Sequence, residues 1–417
     1  MDLQFLQAAL TRALADPSVQ ADMAACPVGV TLEVEFEAVG AIQRLVLHPG
    51  QPGAGQVTCR ARFAVWAQAL AARPAVGFQS WGALRRRPDG VRIEGSDLHL
   101  AQALPMLERL LPAMREPAPE VAGFPRHLDA LAHIQGSYQL LDEARGIWAY
   151  SEECGGQDKP ALLMLHTAGS DARQWHGLMA QTELRSQWRM LAFDLPGHGR
   201  SPLPPGQANW TWKLGQDQYI DWVLRYLNAM HLERVVLMGC SMGAAIGLPL
   251  LARYPDRFIG AVLLETPLHS PGRRSPYLNH AQVHGGRLSA AWVGALLSPH
   301  SPASERDHAT WIYSQSAPSV YDGDLVFYSD EFDARKHTQA IDTRRTPLWL
   351  LTGDYDYSAT PADTQLVAQA IAGAHFQEMS GFGHFPMVEN PDGLLSYLRS
   401  PLAALQARAQ EIRGANG

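Results

Sequence analysis

The chain has 417 residues and carries 34 Lys and Arg against 41 Asp and Glu, a net charge of −7 with only 18 % charged residues. There is no basic surplus to neutralise a phosphate backbone, which excludes nucleic acid as an expected partner. No run reaches the roughly 18 consecutive apolar residues of a membrane helix, which excludes membrane insertion. At about 150 residues per domain, the length predicts two domains or one large α/β domain with an appendage.

The opening residues carry an acid, Asp2, no basic segment, and apolar positions at Phe5, Leu6, Ala9, Leu10 and Leu14 in a helical rhythm. That pattern does not fit a secretion signal and predicts the first helix of a cytoplasmic protein. Cys26, Cys59, Cys154 and Cys240 lie far apart without a CxxC pair, pointing to reduced thiols rather than a disulfide framework or a structural zinc site. Leu32, Val34, Phe36 and Ala38 alternate with Glu33, Glu35 and Glu37. Val57, Cys59, Ala61 and Phe63 alternate in the same way with Thr58, Arg60 and Arg62. A period of two predicts half-buried strands, read together as one solvated antiparallel sheet. Pro88-Asp89-Gly90 predicts the turn of a further hairpin ahead of Val91-Arg92-Ile93, with Arg85-Arg86-Arg87 solvating it, and residues 98–114 predict a helix. This order, together with DGVRIEGSDLHLAQALPMLERLL, resembles the sterol-carrier-protein-2-like domain over about residues 20–115. The resemblance implies an apolar cavity of a kind that binds lipid. Packing on the second domain, or formation of a homodimer through this unit, is the other role open to it.

Three prolines and a glycine between residues 116 and 126 cannot sit inside a regular element and mark a domain boundary, giving an α+β domain at 1–120 and a second domain at 121–417. Beyond it, Ala161–His166, Met190–Leu195, Val235–Cys240, Ile259–Glu265 and Leu348–Thr352 are continuous apolar runs, as expected of strands buried on both faces of a parallel sheet. Between them, 212–230, 242–253 and 361–371 have helical spacing, so the order is βαβα.

One buried run ends in Gly239-Cys240-Ser241-Met242-Gly243 and leads into the small-residue helix start Ala244, Ala245 and Gly247. This is G-x-S-x-G between a strand and a helix, the setting in which a serine hydroxyl is exposed on a strained turn and side chains at the flanking glycines would collide with backbone. Cys240 is read as packing. Around it, LMLHTAG (163–169), FDLPGHGRS (193–201), GCSMG (239–243), TGDYDYSATP (352–361) and GFGHFP (381–386) occur in an order that resembles the α/β-hydrolase fold superfamily over residues 136–405. The resemblance implies a mostly parallel sheet with helices on both faces and a cap insertion, added to the small N-terminal domain.

A serine hydroxyl needs a base and an acid that orients it. The superfamily order Ser, Asp/Glu, His implies His384 as the base; two acids, Asp354 and Asp356, follow the 348–352 strand. The family spacing of a glycine, two residues and then the acid implies Asp356, leaving Asp354 to stabilise the loop. By position the oxyanion hole is implied at Met242 and Ala168, although His166-Thr167-Ala168-Gly169 departs from the usual His-Gly, and Asp171 can cap the helix that follows.

The roughly eighty residues between Glu265 and Pro347 exceed any ordinary connection and predict a cap at about 266–345, with Trp292, Trp311, Tyr313, Tyr321, Phe327 and Tyr328 available as an aromatic roof or as the cap's own core. His280 and His284 stand four apart, but Asn279 and Gly285-Gly286 argue against a helix there and no third ligand is evident, so neither metal nor cofactor is expected. The expected function is hydrolysis of a carboxylic ester of a small to medium apolar or aromatic substrate through an acyl-enzyme on Ser241. Cleavage of a carbon–carbon bond in a β-diketone or ring-fission product is the alternative, disfavoured because HTAGSD lacks a His-Gly-x-Gly-Pro-Gly loop. A non-catalytic lipid-binding or scaffold protein would not need all three triad residues. Aspartate-elbow reactions, haloalkane dehalogenation and epoxide hydrolysis, are disfavoured by the serine.

Overall fold

The computed structural model describes residues 3–36, 40–119, 121, 126–207 and 212–416. Glu37 and Ala38, the end of the first expected strand, and residues 120 and 122–125 of the boundary segment lie outside the described residues. The chain separates into two compact units, Met1–Val121 with Pro276–His300, and Ala122–Ser275 with Ser301–Gly417.

In the first unit, strands β1 (Gly29–Phe36), β2 (Ala41–His48), β3 (Gln56–Arg62) and β4 (Arg92–Glu94) form a sheet in the order β2-β1-β3-β4. The sheet is mixed rather than antiparallel: β1 runs parallel to β3 because β2 takes the other side of β1 as its hairpin partner. Nor is its polar face fully solvated. Glu33 is buried beneath Arg44 and Arg60, whose guanidinium nitrogens lie 2.7 and 2.6 Å from its carboxylate. The expected hairpin at 84–93 is half right, since β4 pairs back onto β3 while the residues before the turn form the helix Trp81–Arg86, capped by the Ser80 hydroxyl. The helices Leu3–Ala13, Pro17–Ala25 and Asp97–Met114 bury Leu6, Ala9, Val19, Leu104, Leu107 and Leu110, and Trp66 meets Trp81 edge-on at 5.5 Å.

The helix Gly285–Leu296 packs on Asp97–Met114 and so completes the first unit. This corrects the expected cap at 266–345: its apolar residues Leu288, Val293 and Leu296 find their buried surface in the first unit, and Trp292 goes with them.

The second unit holds an eight-stranded sheet. Its strands are β5 (Gln135–Asp142), β6 (Ile147–Cys154), β7 (Ala161–Leu165), β8 (Arg189–Phe193), β9 (Val235–Cys240), β10 (Phe258–Leu264), β11 (Leu348–Gly353) and β12 (His375–Met379), in the order β12-β11-β10-β9-β7-β8-β6-β5. The six strands from β12 to β8 run parallel, and β6 is reversed, pairing antiparallel with both β8 and β5. The continuous apolar runs of the sequence are the central strands, each buried along its whole length, as a sheet covered on both faces requires. The helix Gln216–Ala229 starts later than expected, whereas Met242–Arg253 keeps the expected bounds. Among the described residues no helix is long and apolar enough to cross a membrane.

Because β8 and β9 flank β7 on opposite sides, the chain reverses its winding at β7 and opens a crevice at the carboxyl ends of β7 and β9. The helix Met242–Arg253 is pressed against that point. A Cβ at Gly243 would lie 2.3 Å from the Leu165 carbonyl oxygen, a backbone atom that cannot turn aside. Gly243→Ala is therefore expected to lower unfolding free energy by about 2 kcal/mol or more, of the order found for overpacked cores, as measured by urea denaturation of the full chain.

Candidate active site

Ser241 joins β9 to the helix Met242–Arg253 with φ 53° and ψ −111°, a conformation that costs a non-glycine residue about 1–3 kcal/mol. The surrounding backbone holds it there: its N–H donates to the Leu264 carbonyl at 2.9 Å and its carbonyl accepts from the Ala245 N–H at 2.8 Å. A Cβ at Gly239 would fall 2.5 Å from the carbonyl carbon of Gly243, so the turn closes only with glycine on both sides.

His384, in the loop after β12, places Nε2 2.8 Å from Ser241 Oγ, and its Nδ1 lies 2.5 Å from Asp356 Oδ2. All three side chains are buried. Asp356 Oδ1 accepts from the amides of Ser358 at 2.6 Å and Ala359 at 3.2 Å, which locks the carboxylate. Burial alone would raise its pKa, but the facing His384 and these donors hold it below the ordinary range. Asp354 points elsewhere, accepting from the Gly381 amide at 2.8 Å and the Ser380 hydroxyl at 3.3 Å, and so ties down the loop leading to His384. The Cys240 thiol is turned to the His384 carbonyl at 3.4 Å, and burial pushes it well above its usual pKa.

Met242 opens its helix, where the first amides have no intrahelical acceptor. Ala168 lies in the loop after β7. That loop is pinned at each residue around it: Thr167 N and Oγ1 both donate to Gln174 Oε1 at 3.1 Å, and Gly169 N donates to Asp324 Oδ2 at 2.6 Å. Gly169 has φ +67°, and a Cβ there would strike the Tyr321 ring at 2.5 Å. Asp171 caps the helical turn Ala172–Trp175 through the Arg173 amide.

The sequence profile of the alpha/beta hydrolase fold matches residues 160–391, more than half of the chain. The chain belongs to the alpha/beta hydrolase fold family. A pimeloyl-[acyl-carrier protein] methyl ester esterase of Aeromonas salmonicida is 30 % identical over 58 % of this chain and 94 % of its own. A zearalenone hydrolase of Bionectria ochroleuca is 24 % identical over 60 % of this chain and 92 % of its own. Among solved structures, the enol-lactonase from Burkholderia xenovorans LB400 superposes with a TM-score of 0.54 at 23 % identity, covering 62 % of this chain and 97 % of that one.

Two residues of this alpha/beta hydrolase's site escape sequence reasoning. Glu265, the residue after β10, adopts φ 50° and lies fully buried against Asp356, accepting from the Gly353 amide at 3.0 Å. Burial and the adjacent Asp356 carboxylate raise its pKa well above the carboxylate range, so it holds its proton and donates it in a hydrogen bond to Asp356. The one available signal was an acid directly after a buried strand. Asp324, in the helix Pro318–Leu325, accepts from Gly169 N, from His198 Nε2 at 2.7 Å and from the Tyr219 hydroxyl. Nothing in its local sequence marks it.

Glu265, Asp356 and His384 present possible ligand atoms within 4.8 Å of one another, but those atoms are engaged in the hydrogen bonds just given, an arrangement that holds protons rather than a cation. His280 and His284 each accept a backbone amide, from Gln282 and Arg287, ahead of the helix Gly285–Leu296, and so do not share a helical face. Of the six cap aromatics, Tyr313 bonds Thr167, Tyr321 covers Gly169 and Tyr328 approaches Ser241. Phe327 packs on Tyr219, and Trp311 is 48 % exposed with Arg173 over its ring.

His166 anchors the start of the Ala168 loop, with Nδ1–H donating to the Thr167 carbonyl and Nε2 accepting from the Leu195 amide at 3.1 Å. Only the neutral ring can do both, and burial, helped by the neighbouring His198, pushes its pKa down to about 4. The unfolded chain binds a proton on this ring below about pH 6.5, so stability is expected to fall as pH drops from there towards about 4. At about 1.4 kcal/mol per pH unit the full effect is about 3 kcal/mol. Urea denaturation should show a smaller loss of stability between about pH 7 and pH 5 in His166→Gln than in the wild type.

Proposed function

We propose that the protein is a serine hydrolase that cleaves carboxylic esters through an acyl-enzyme on Ser241. The observation that carries this is the continuous hydrogen-bond chain from Ser241 Oγ through the His384 ring to Asp356, set on the strained turn at the end of β9. In this reading His384 Nε2 takes the serine proton as Oγ attacks the carbonyl carbon, and Asp356 stabilises the imidazolium without taking the proton. The amides of Met242 and Ala168 receive the negative charge that forms on the carbonyl oxygen. His384 then returns the proton to the departing oxygen, and a water activated by the same ring releases the acid. Glu265 stays neutral, so the pair beneath His384 carries one negative charge rather than two, sparing the buried site a like-charge repulsion.

The names of the relatives, a methyl ester esterase and an enol-lactonase, support an oxygen ester as the bond cleaved. The buried Tyr328 beside Ser241 suits a substrate of modest size with polar as well as aromatic contacts. For the first unit we propose a packing role. Its groove of about 340 Å³ is bordered by the paired Asp22 and Arg287, which suits a surface contact better than a lipid cavity.

A fluorophosphonate probe should label the wild type at Ser241 and leave Ser241→Ala unlabelled, with p-nitrophenyl acetate turnover lower by at least about 10⁴-fold in the variant. Labelling at another residue, or turnover retained by Ser241→Ala, would rule the mechanism out. Asp356→Asn should cost about 10⁴-fold in kcat, whereas Asp354→Asn, which loosens one loop, should cost about tenfold or less. Running the Ser241 pair on alkyl esters, amides and β-diketones identifies the bond cleaved.

A further inference from the structure

The Tyr328 hydroxyl has no hydrogen-bond partner among the described residues, although the residue is only 2 % exposed. The hydroxyl of Ser358, 7 % exposed in the loop beyond Asp356, is in the same state. The two stand together: the phenol oxygen lies beside the side chains of Ser241 and Ser358 without a well-formed bond to either. A buried hydroxyl left unpaired is destabilising, and each such group in a folded protein calls for a reason. The neighbouring phenols do not share this condition, since Tyr313 bonds Thr167 and Tyr219 bonds Asp324. Tyr328 is carried by a widened helical turn, Val326–Glu331, of a kind found often at functional sites.

Accepting the serine-esterase reading above, we propose that Tyr328, backed by Ser358, is the binding site for the substrate's second ester oxygen, the one that leaves. Both oxygens of an ester are bonded to the carbon that Ser241 attacks. The carbonyl oxygen is directed to the amides of Met242 and Ala168, so the oxygen left for a hydroxyl beside Ser241 Oγ is the alkoxy one. When the tetrahedral intermediate collapses, the carbon–oxygen bond breaks and its electron pair passes to the leaving oxygen. That oxygen takes the proton which His384 Nε2 received from Ser241. Tyr328 keeps its own proton and stabilises the developing charge by donating a hydrogen bond. Such a donor matters most when the leaving alcohol is a poor one, so the substrate class it fits is alkyl esters and lactones rather than activated esters.

The test uses the full chain, Tyr328→Phe, and aryl acetates whose leaving phenols rise in pKa from p-nitrophenol through phenol to p-methoxyphenol. The loss of kcat/KM in the variant, which reports acylation, should grow along the series, differing by at least about tenfold between its ends. The melting temperature should not fall below the wild-type value, since the change removes an oxygen that no protein group bonds. An equal loss across the series, no loss, or a loss that tracks a lowered melting temperature would overturn the proposal. Ser241→Ala assayed in parallel separates the two ideas. Turnover surviving in that variant defeats the serine reading itself, whereas serine-dependent turnover with an unchanged leaving-group slope in Tyr328→Phe defeats the tyrosine proposal alone.

Discussion

At Ser241 the backbone is held at φ 53°, ψ −111° by hydrogen bonds to β10 on one side and to the first turn of the following helix on the other. Almost every other feature of the site follows from how that turn is accommodated. The helix Met242–Arg253 must leave β9 so sharply that Gly243 meets the backbone at the end of β7. That contact seats the start of the loop after β7 against the first turn of the helix. The strain is tolerable because β9 is central, paired with β7 and β10 and buried throughout, so many contacts over-determine the conformation of one residue.

Charge management is the second layer. The site gathers Asp356 and Glu265 in a water-poor interior, where two adjacent anions would repel strongly. One proton resolves the conflict: Glu265 keeps it, and Asp356 keeps its charge for His384. A similar economy holds under the Ala168 loop, where Asp324 receives three donors at once, two of them from β-strand loops and one from the helix Gln216–Ala229. Asp194, pushed up to about 6 by burial and by Asp171, is clamped by Arg200 and by the Ala172 and Arg200 amides. These carboxylates position loops by accepting backbone N–H groups, which fixes main chain more tightly than side-chain packing does.

The insertion between β10 and β11 serves two bodies of the protein. Residues 276–300 belong to the first unit, while residues 301–347 remain with the sheet and carry Tyr313, Tyr321 and Tyr328, of which Tyr328 approaches Ser241.

The sequence by itself determined the central strands, the order of their connections, and the serine, histidine and acid that meet at their ends. Strands buried on both faces read as unbroken apolar runs, and a turn that admits only glycine leaves its mark within five residues. It did not reveal β5 or β12, because QGSYQLLD and HFQEM lie at the sheet's edges and need no apolar run. It misjudged the sheet of the first unit, because β2 takes one side of β1 and leaves β3 parallel to it on the other, and the 84–93 hairpin, because the residues before the turn form the helix Trp81–Arg86. Glu265 is marked only as an acid directly after a buried strand, and Asp324 and Tyr328 have no local signature. What each of them does depends on Gly353, Gly169 and Ser241, which are 88, 155 and 87 residues away along the chain, and only the tertiary structure brings such partners together.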